Sequence, residues 1–218
     1  MSILLPTRGR VAQTGAMSEQ SNESALAGIV MAGGQSVRMG SDKAALDWDG
    51  QPMLGRIVSV VGERCEQVFV VAAESSPAYR LLYGSGGPAA RWVTDEVPDT
   101  GPLGALAAGL SAAGAAGAEL AFVCATDMPL IGTELIDELV HGVTPSTDVV
   151  IAHDASRDHP LAGVYRTAVA PRLHELVAAG ERRLLGALET VCTHRVTVSD
   201  LDWLTNVNAP EDVHRLRV

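Results

Sequence analysis

Short, unbroken apolar runs alternate along this chain with longer stretches whose apolar positions recur at helical spacing. Leu26 to Met31, Val68 to Ala72, Leu120 to Cys124 and Asp148 to Ala152 are the clearest runs. A strand with one wet face alternates apolar and polar residues, so continuous runs of this length predict strands buried on both faces. After Pro52, the residues Leu54, Ile57, Val58 and Val61 recur at helical spacing and predict a helix to about Arg64, with Pro52 suited to its start. A short extended piece, Leu46 to Trp48, precedes that helix and ends at the turn Asp49-Gly50. The strand–loop–helix–strand order is the βαβ unit of a parallel sheet.

The rest of the pattern extends this reading. Ser75 to Pro88 predicts loops around a short helix near Tyr79 to Leu82, and Arg91 to Thr94 a short strand. Helices are predicted over Leu103 to Ala116, Glu134 to Val140, Thr167 to Ala179 with Gly180 just beyond its end, and Glu181 to Glu189. A late strand, Arg195 to Val198, and a final helix follow; Pro210, Glu211 and Asp212 suit that helix's first turn, behind a cap at Asn208 or Ala209. The expected fold class is α/β: a single doubly wound, mostly parallel, Rossmann-like sheet with helices on both faces.

Composition narrows the function classes. A length of 218 residues suits one domain with a sizeable core, and 47% hydrophobic with 4% aromatic residues predicts a core of Ala, Val and Leu. The net charge of −10 argues against a nucleic-acid binder that works by phosphate neutralisation. No apolar run approaches the roughly 20 residues of a membrane span. Cys65, Cys124 and Cys192 form no C-x-x-C pair and read as buried apolar residues in a reducing, cytoplasmic setting. Residues 1–24 are polar and small, with an apolar patch at Ile3 to Leu5 too short for a signal-peptide core. They are expected to be a disordered extension of a domain over 25–218.

The candidate chemistry begins at the end of the first apolar run. Gly33 and Gly34 follow it directly, where the lack of a Cβ lets backbone N–H groups approach an anion. Arg38 and Lys43 add two cations, one able to grip a phosphate in bidentate fashion and one a mobile point charge. A nucleoside triphosphate is the simplest ligand. The loop is neither a Walker A sequence nor a G-x-G-x-x-G dinucleotide fingerprint. A glycine turn carrying solvated charges is the plain alternative.

Further along, Asp95 to Leu103 reads either as a surface loop entering a helix or as a ligand-facing loop at the carboxyl end of a strand. Asp127, just past the apolar run Leu120 to Cys124 and followed by Met128 and Pro129, is a natural Mg²⁺ ligand. The alternative is a turn or capping residue, although Thr133 lies nearer the start of the next helix. His153, Asp154, Ser156, Arg157, Asp158 and His159 form a dense polar cluster. Zinc suits that spacing poorly; a solvated loop and contacts to an anionic acceptor both remain open. Asn206 and Asn208 face one side of an extended segment before the last helix.

Taken together, these segments resemble the nucleotidyltransferases related to the molybdenum cofactor guanylyltransferase, MobA. The first motif stands as Met31-Ala32-Gly33-Gly34-Gln35-Ser36-Val37-Arg38-Met39-Gly40-Ser41-Asp42-Lys43, with Met in place of the family's Leu. Asp95 with Gly101-Pro102-Leu103, Cys124 with Asp127 and Pro129, Arg157-Asp158-His159-Pro160, Ala179 to Arg183, and Asn206 to Asp212 follow in family order. The resemblance runs from about Leu26 to Asp212. It departs after the second strand, where Val71-Ala72-Ala73-Glu74 lacks an Asn that many relatives use to hold the nucleotide.

The resemblance implies a nucleotide-diphospho-sugar-transferase-like fold and transfer of GMP from GTP to molybdenum-bound molybdopterin, with pyrophosphate released and Mg²⁺ as cofactor. It implies catalytic roles for Arg38, Lys43 and Asp127. Nucleotide contacts fall to Met31, Ala32, Gly33, Gly34, Lys43, Asp95, Gly101 and Asp127, with Asp127 also the metal ligand. Acceptor contacts fall to Arg157, Asp158, His159, Asn206 and Asn208. It also implies transient contacts with other molybdenum cofactor biosynthesis proteins or with target apoenzymes. The alternatives are a related cytidylyl- or sugar-phosphate nucleotidyltransferase, or a nucleotide-binding regulator without turnover.

Overall fold

The computed structural model describes residues 25–33, 43–84, 89–94, 100–207 and 210–216. Its centre is a seven-stranded sheet. The apolar runs form β1 (Leu26–Met31), β4 (Gln67–Ala72), β5 (Arg91–Thr94), β6 (Leu120–Ala125) and β7 (Val149–His153). Two further strands, β8 (Asp158–Arg166) and β9 (Thr193–Thr197), complete it in the spatial order β5-β4-β1-β6-β8-β7-β9. The pairs β5–β4, β4–β1 and β1–β6 are parallel. β8 runs antiparallel to both of its neighbours, β6 and β7, and β9 is parallel to β7. A separate two-stranded ribbon pairs β2 (Asp47–Trp48) with β3 (Gln51–Pro52) across the predicted Asp49-Gly50 turn.

Period-two alternation explains why the runs are continuous. Val30, Val68, Val70, Phe122, Cys124, Val150 and Val164 face one core. Helices α1 (Met53–Gly62) and α4 (Thr133–His141) cover that face, with α2 (Pro77–Gly84) contributing Ala78 and α7 (Pro210–Leu216) contributing Val213. Ile29, Met31, Phe69, Val71, Val123, Ile151 and Tyr165 face the other core, under α3 (Gly101–Ala115), α5 (Ala170–Ala178) and α6 (Leu184–Leu188). Both faces are dry along β1, β4, β6 and β7, so these strands can be apolar at nearly every position.

α3 packs closely on the sheet. A Cβ at its Gly109 would lie 2.9 Å from Ile29 and 3.0 Å from Val71, so the glycine sets how near the helix comes to β1 and β4. Three expectations need correction. Glu181 to Arg183 are not helical; α6 starts at Leu184, with Arg183 as its cap residue. The stretch after the polar cluster is not merely apolar but a nine-residue strand, β8. Cys192 is exposed, whereas Cys65 and Cys124 are buried as expected. Burial alone pushes the Cys65 thiol up to about 12, which leaves it unreactive.

Candidate active site

The order of the sheet locates the site. From β1 the chain steps outward to β4 and β5, then returns to the opposite side of β1 with β6. Strand order therefore reverses at β1, and open α/β sheets bind ligands in the crevice at the carboxyl ends flanking such a reversal. Here those ends are Met31 on β1 and Ala125 on β6, which are partners in the register. Backbone bonds continue the pairing past the strands. Ala32 N–H donates to the Val71 carbonyl at 2.9 Å, and Thr126 N–H donates to the Met31 carbonyl at 3.2 Å.

Met31, Ala32, Gly33 and Asp127 thus lie side by side at one edge. Gly34, Arg38, Asp95 and Asn208 fall outside the described residues. Lys43 opens a 3₁₀ turn, Lys43–Ala45, that packs against α1 and α2. Leu46, just after the turn, accepts at its carbonyl from the N–H of Met53, the first residue of α1, at 2.8 Å, so the turn lies by the start of α1.

Asp127 does not cap α4. The cap position there is Gly132, and no side chain bonds the helix end. The Asp127 carbonyl instead accepts from Val207 N–H at 2.8 Å, which brings the segment 205–207, with Asn206, onto the same edge. This contact spans eighty positions and has no local sequence signal. Gly101 opens α3 with φ +67°, and a Cβ there would lie 3.3 Å from the Arg182 carbonyl oxygen. The loop 179–183 therefore abuts the start of α3.

The polar cluster forms the tip of the β7–β8 hairpin. β8 pairs with β6 only as far as Cys124 opposite Ala162, while Asp158 and His159 still pair with β7. The hairpin thus overhangs the carboxyl edge beside Asp127. Of the three residues predicted there for the acceptor, His159 is engaged within the hairpin and Asp158 is engaged both within it and by Arg195 on β9. His159, 9% exposed, donates from Nε2 to Asp154 Oδ2 at 2.7 Å. Asp158 accepts from His153 Nδ1 at 2.7 Å and from Arg195 Nε at 2.9 Å. Partial burial draws its carboxyl upward, but the hydrogen bonds from His153 and Arg195 outweigh this and hold it below its ordinary value. Arg157 is 63% exposed, with its Nε 3.9 Å from Asp154 Oδ2.

Asp154 is the organising residue that sequence reasoning missed. Its Oδ1 accepts from Ser156 N–H at 2.7 Å, Ser156 Oγ–H at 2.6 Å and Arg157 N–H at 2.9 Å. Bonds from Ser156, then His159, hold its carboxyl well below the usual range. The Asp-x-Ser spacing of an Asx turn was the available signal.

Comparison with known proteins agrees with this fold. The model of the MobA-like NTP transferase domain matches residues 28–191. A probable molybdenum cofactor guanylyltransferase of Mycobacterium marinum is 44% identical over 197 residues, covering 89% of this chain and 94% of the relative. The chain belongs to the MobA-like NTP transferase family.

A second family member, the probable molybdenum cofactor guanylyltransferase of Mycobacterium avium, is 41% identical and covers 88% of this chain and 94% of its own length. Among solved structures, the molybdopterin-guanine dinucleotide biosynthesis protein A of Archaeoglobus fulgidus superposes with a TM-score of 0.71 at 23% identity, covering 87% of this chain and 95% of that one. That likeness speaks for the shared MobA-like fold. No helix among the described residues is long and apolar enough to cross a membrane.

Proposed function

We propose that the chain transfers GMP from GTP to molybdenum-bound molybdopterin in the cytoplasm, releasing pyrophosphate. One observation carries the reading: Thr126 N–H on the Met31 carbonyl and Val207 N–H on the Asp127 carbonyl join the glycine-loop strand, Asp127 and the Asn206 segment at one edge. The names of the curated relatives support the choice of GTP and of the acceptor.

An acceptor phosphate oxygen bonds to the α-phosphorus of GTP while the bond from that phosphorus to the bridging oxygen breaks. Pyrophosphate leaves with the electron pair. Such a transfer needs in-line alignment and neutralised phosphate charge rather than a protein nucleophile. Backbone N–H groups around Gly33 and Gly34, with Arg38 and Lys43, hold the triphosphate. Arg157 and Asn206, with Asn208, orient the acceptor from the other side.

Among the described residues, no group of three or more His, Cys, Asp or Glu side chains is gathered tightly enough to cage a metal unaided. One hard carboxylate beside substrate phosphates is the arrangement that suits Mg²⁺, which keeps waters and takes few protein ligands. Bound at Asp127, Mg²⁺ would supply charge neutralisation to the phosphate oxygens.

The test is pyrophosphate release with GTP, CTP or ATP, each with and without molybdopterin. Release is expected with GTP only when the acceptor is present, and a preference for CTP would reassign the base. Asp127→Asn is expected to fold with a near-normal Tm, to lose Mg²⁺-dependent turnover and to regain only part of it at raised Mg²⁺. A wild-type Mg²⁺ dependence in that variant would end the metal role, because Asn substitutes well for Asp in turns and caps.

A further inference from the structure

We propose that Arg56 is a positioning residue for Asp127, acting through the Pro129 carbonyl; this rests on the reading of Asp127 as a metal ligand. The loop carrying Asp127 leaves β6 at Ala125 and must hold its carboxylate still while a metal and a triphosphate arrive. Its near end is fixed by Thr126 N–H on the Met31 carbonyl, and its middle by Val207 N–H on the Asp127 carbonyl. The far end has fewer means. Pro129 has no N–H to donate, so its tie must be made to its carbonyl. Arg56, partly buried on α1 and 73 positions away, supplies it: Nε donates to the Pro129 oxygen at 2.7 Å.

The chemistry of this bond suits positioning. A charged donor makes a shorter and roughly twofold stronger hydrogen bond than a neutral one. The planar guanidinium also fixes the direction of its Nε–H, which a Lys ammonium on a flexible stem does not. Beneath the loop, Met128 and Ile131 are buried in the core, so the carbonyl tie closes a segment already anchored from below.

The turn just past α1 carries a control. There Arg64 Nε donates to Asp137 on α4 at 2.9 Å. It is the same residue type, eight positions on, and also reaches the chain after β6. But it is an exposed, bidentate ion pair whose acceptor lies ten positions beyond Asp127, on α4 and not on the Asp127 loop. A general role for α1 and the turn after it in holding that segment predicts similar consequences for both arginines. A positioning role for Arg56 predicts a difference between them.

The experiment measures the affinity of a fluorescent GTP analogue in excess EDTA and in saturating Mn²⁺. The ratio of the two affinities reports the metal's contribution without turnover. Arg56→Met is expected to lower that ratio about tenfold, as loss of a partner behind a metal ligand typically does, with the EDTA affinity unchanged. Arg56→Lys should recover part of the ratio, and Arg64→Met should keep all of it. Hydrogen exchange at Ile131 and Val207 should quicken in Arg56→Met and not in Arg64→Met. Equal ratios in Arg56→Met and wild type overturn the proposal, as does an equal loss in both arginine variants. Should Arg56→Met fail to fold, Arg56→Lys decides alone: a ratio below wild type supports the role and a wild-type ratio overturns it. Asp127→Asn separates the two readings. If it keeps the wild-type ratio, the metal role of Asp127 has failed whatever Arg56 does.

Discussion

Lys43 tests the triphosphate half of the site at the scale of one side chain. Its role is inferred from its place at the end of the glycine loop, in a turn that packs against α1 and α2. Lys43→Ala is expected to lower kcat/KM for GTP by ~100-fold, or ~3 kcal/mol of transition-state stabilisation, with Tm nearly unchanged. An unchanged kcat/KM would make Lys43 a solvated surface charge. Two of the depressed carboxyls predict behaviour in acid. Asp154, held down by Ser156 and His159, and Glu181, held down to about 2 by Arg183 and Arg182, have lower pKa values folded than unfolded. Their stabilisation is complete above the unfolded values of about 4 and is lost as pH falls through the folded ones. Thermal melts from pH 7 to pH 2 should show a smaller fall for Asp154→Asn than for wild type below about pH 4; parallel curves would remove Asp154 from the acid response. At this scale the sequence was legible for residues whose position follows from being next to a strand end, such as Gly33 and Asp127. It was not legible for Asp158 and His159, because their partners Arg195 and Asp154 decide whether they face a ligand or one another.

Among the elements, α3 shows two opposing effects of known size. Gly109→Ala removes a helix-interior glycine, which favours the helix by about 1 kcal/mol. The added Cβ meets Ile29 and Val71, whose branched side chains have little rotamer freedom, and overpacking of this kind costs about 1–3 kcal/mol. Overpacking is expected to win, giving a lower Tm than wild type; a raised Tm would show that α3 can lift from the sheet at little cost. The buried parallel strands were legible because dry faces demand apolar runs. β8 was obscured for the reason that makes it useful. It begins with Asp158 and His159, then Pro160, and a proline inside a run argues against a strand. The register shift between Ile151 and Ala152 accommodates that irregularity, and the Pro160 carbonyl accepts from the buried Tyr165 hydroxyl at 2.6 Å. The start of α6 was misjudged because Glu181 uses its carboxylate on the N–H groups of Arg182 and Arg183, at 2.8 and 2.9 Å, in place of a helical turn.

For the whole molecule, the proposal divides labour between the two halves of the chain. The glycine loop and Asp127 come from the first 130 residues, while Arg157 and Asn206 come from the remainder. Arg157→Ala is expected to weaken molybdopterin binding and to leave GTP affinity nearly intact, as two separate titrations would show; equal losses would sink the division. That the halves meet at one edge could not be read from local pattern, because strand order depends on pairings between distant segments. The bond from Val207 to Asp127 has a consequence in time as well as in space. A ribosome releases this chain from its N-terminus, so the glycine loop and the Asp127 loop emerge well before the segment that ties them down. A nascent chain therefore carries Met31 and Asp127 well before Val207 emerges to supply this tie.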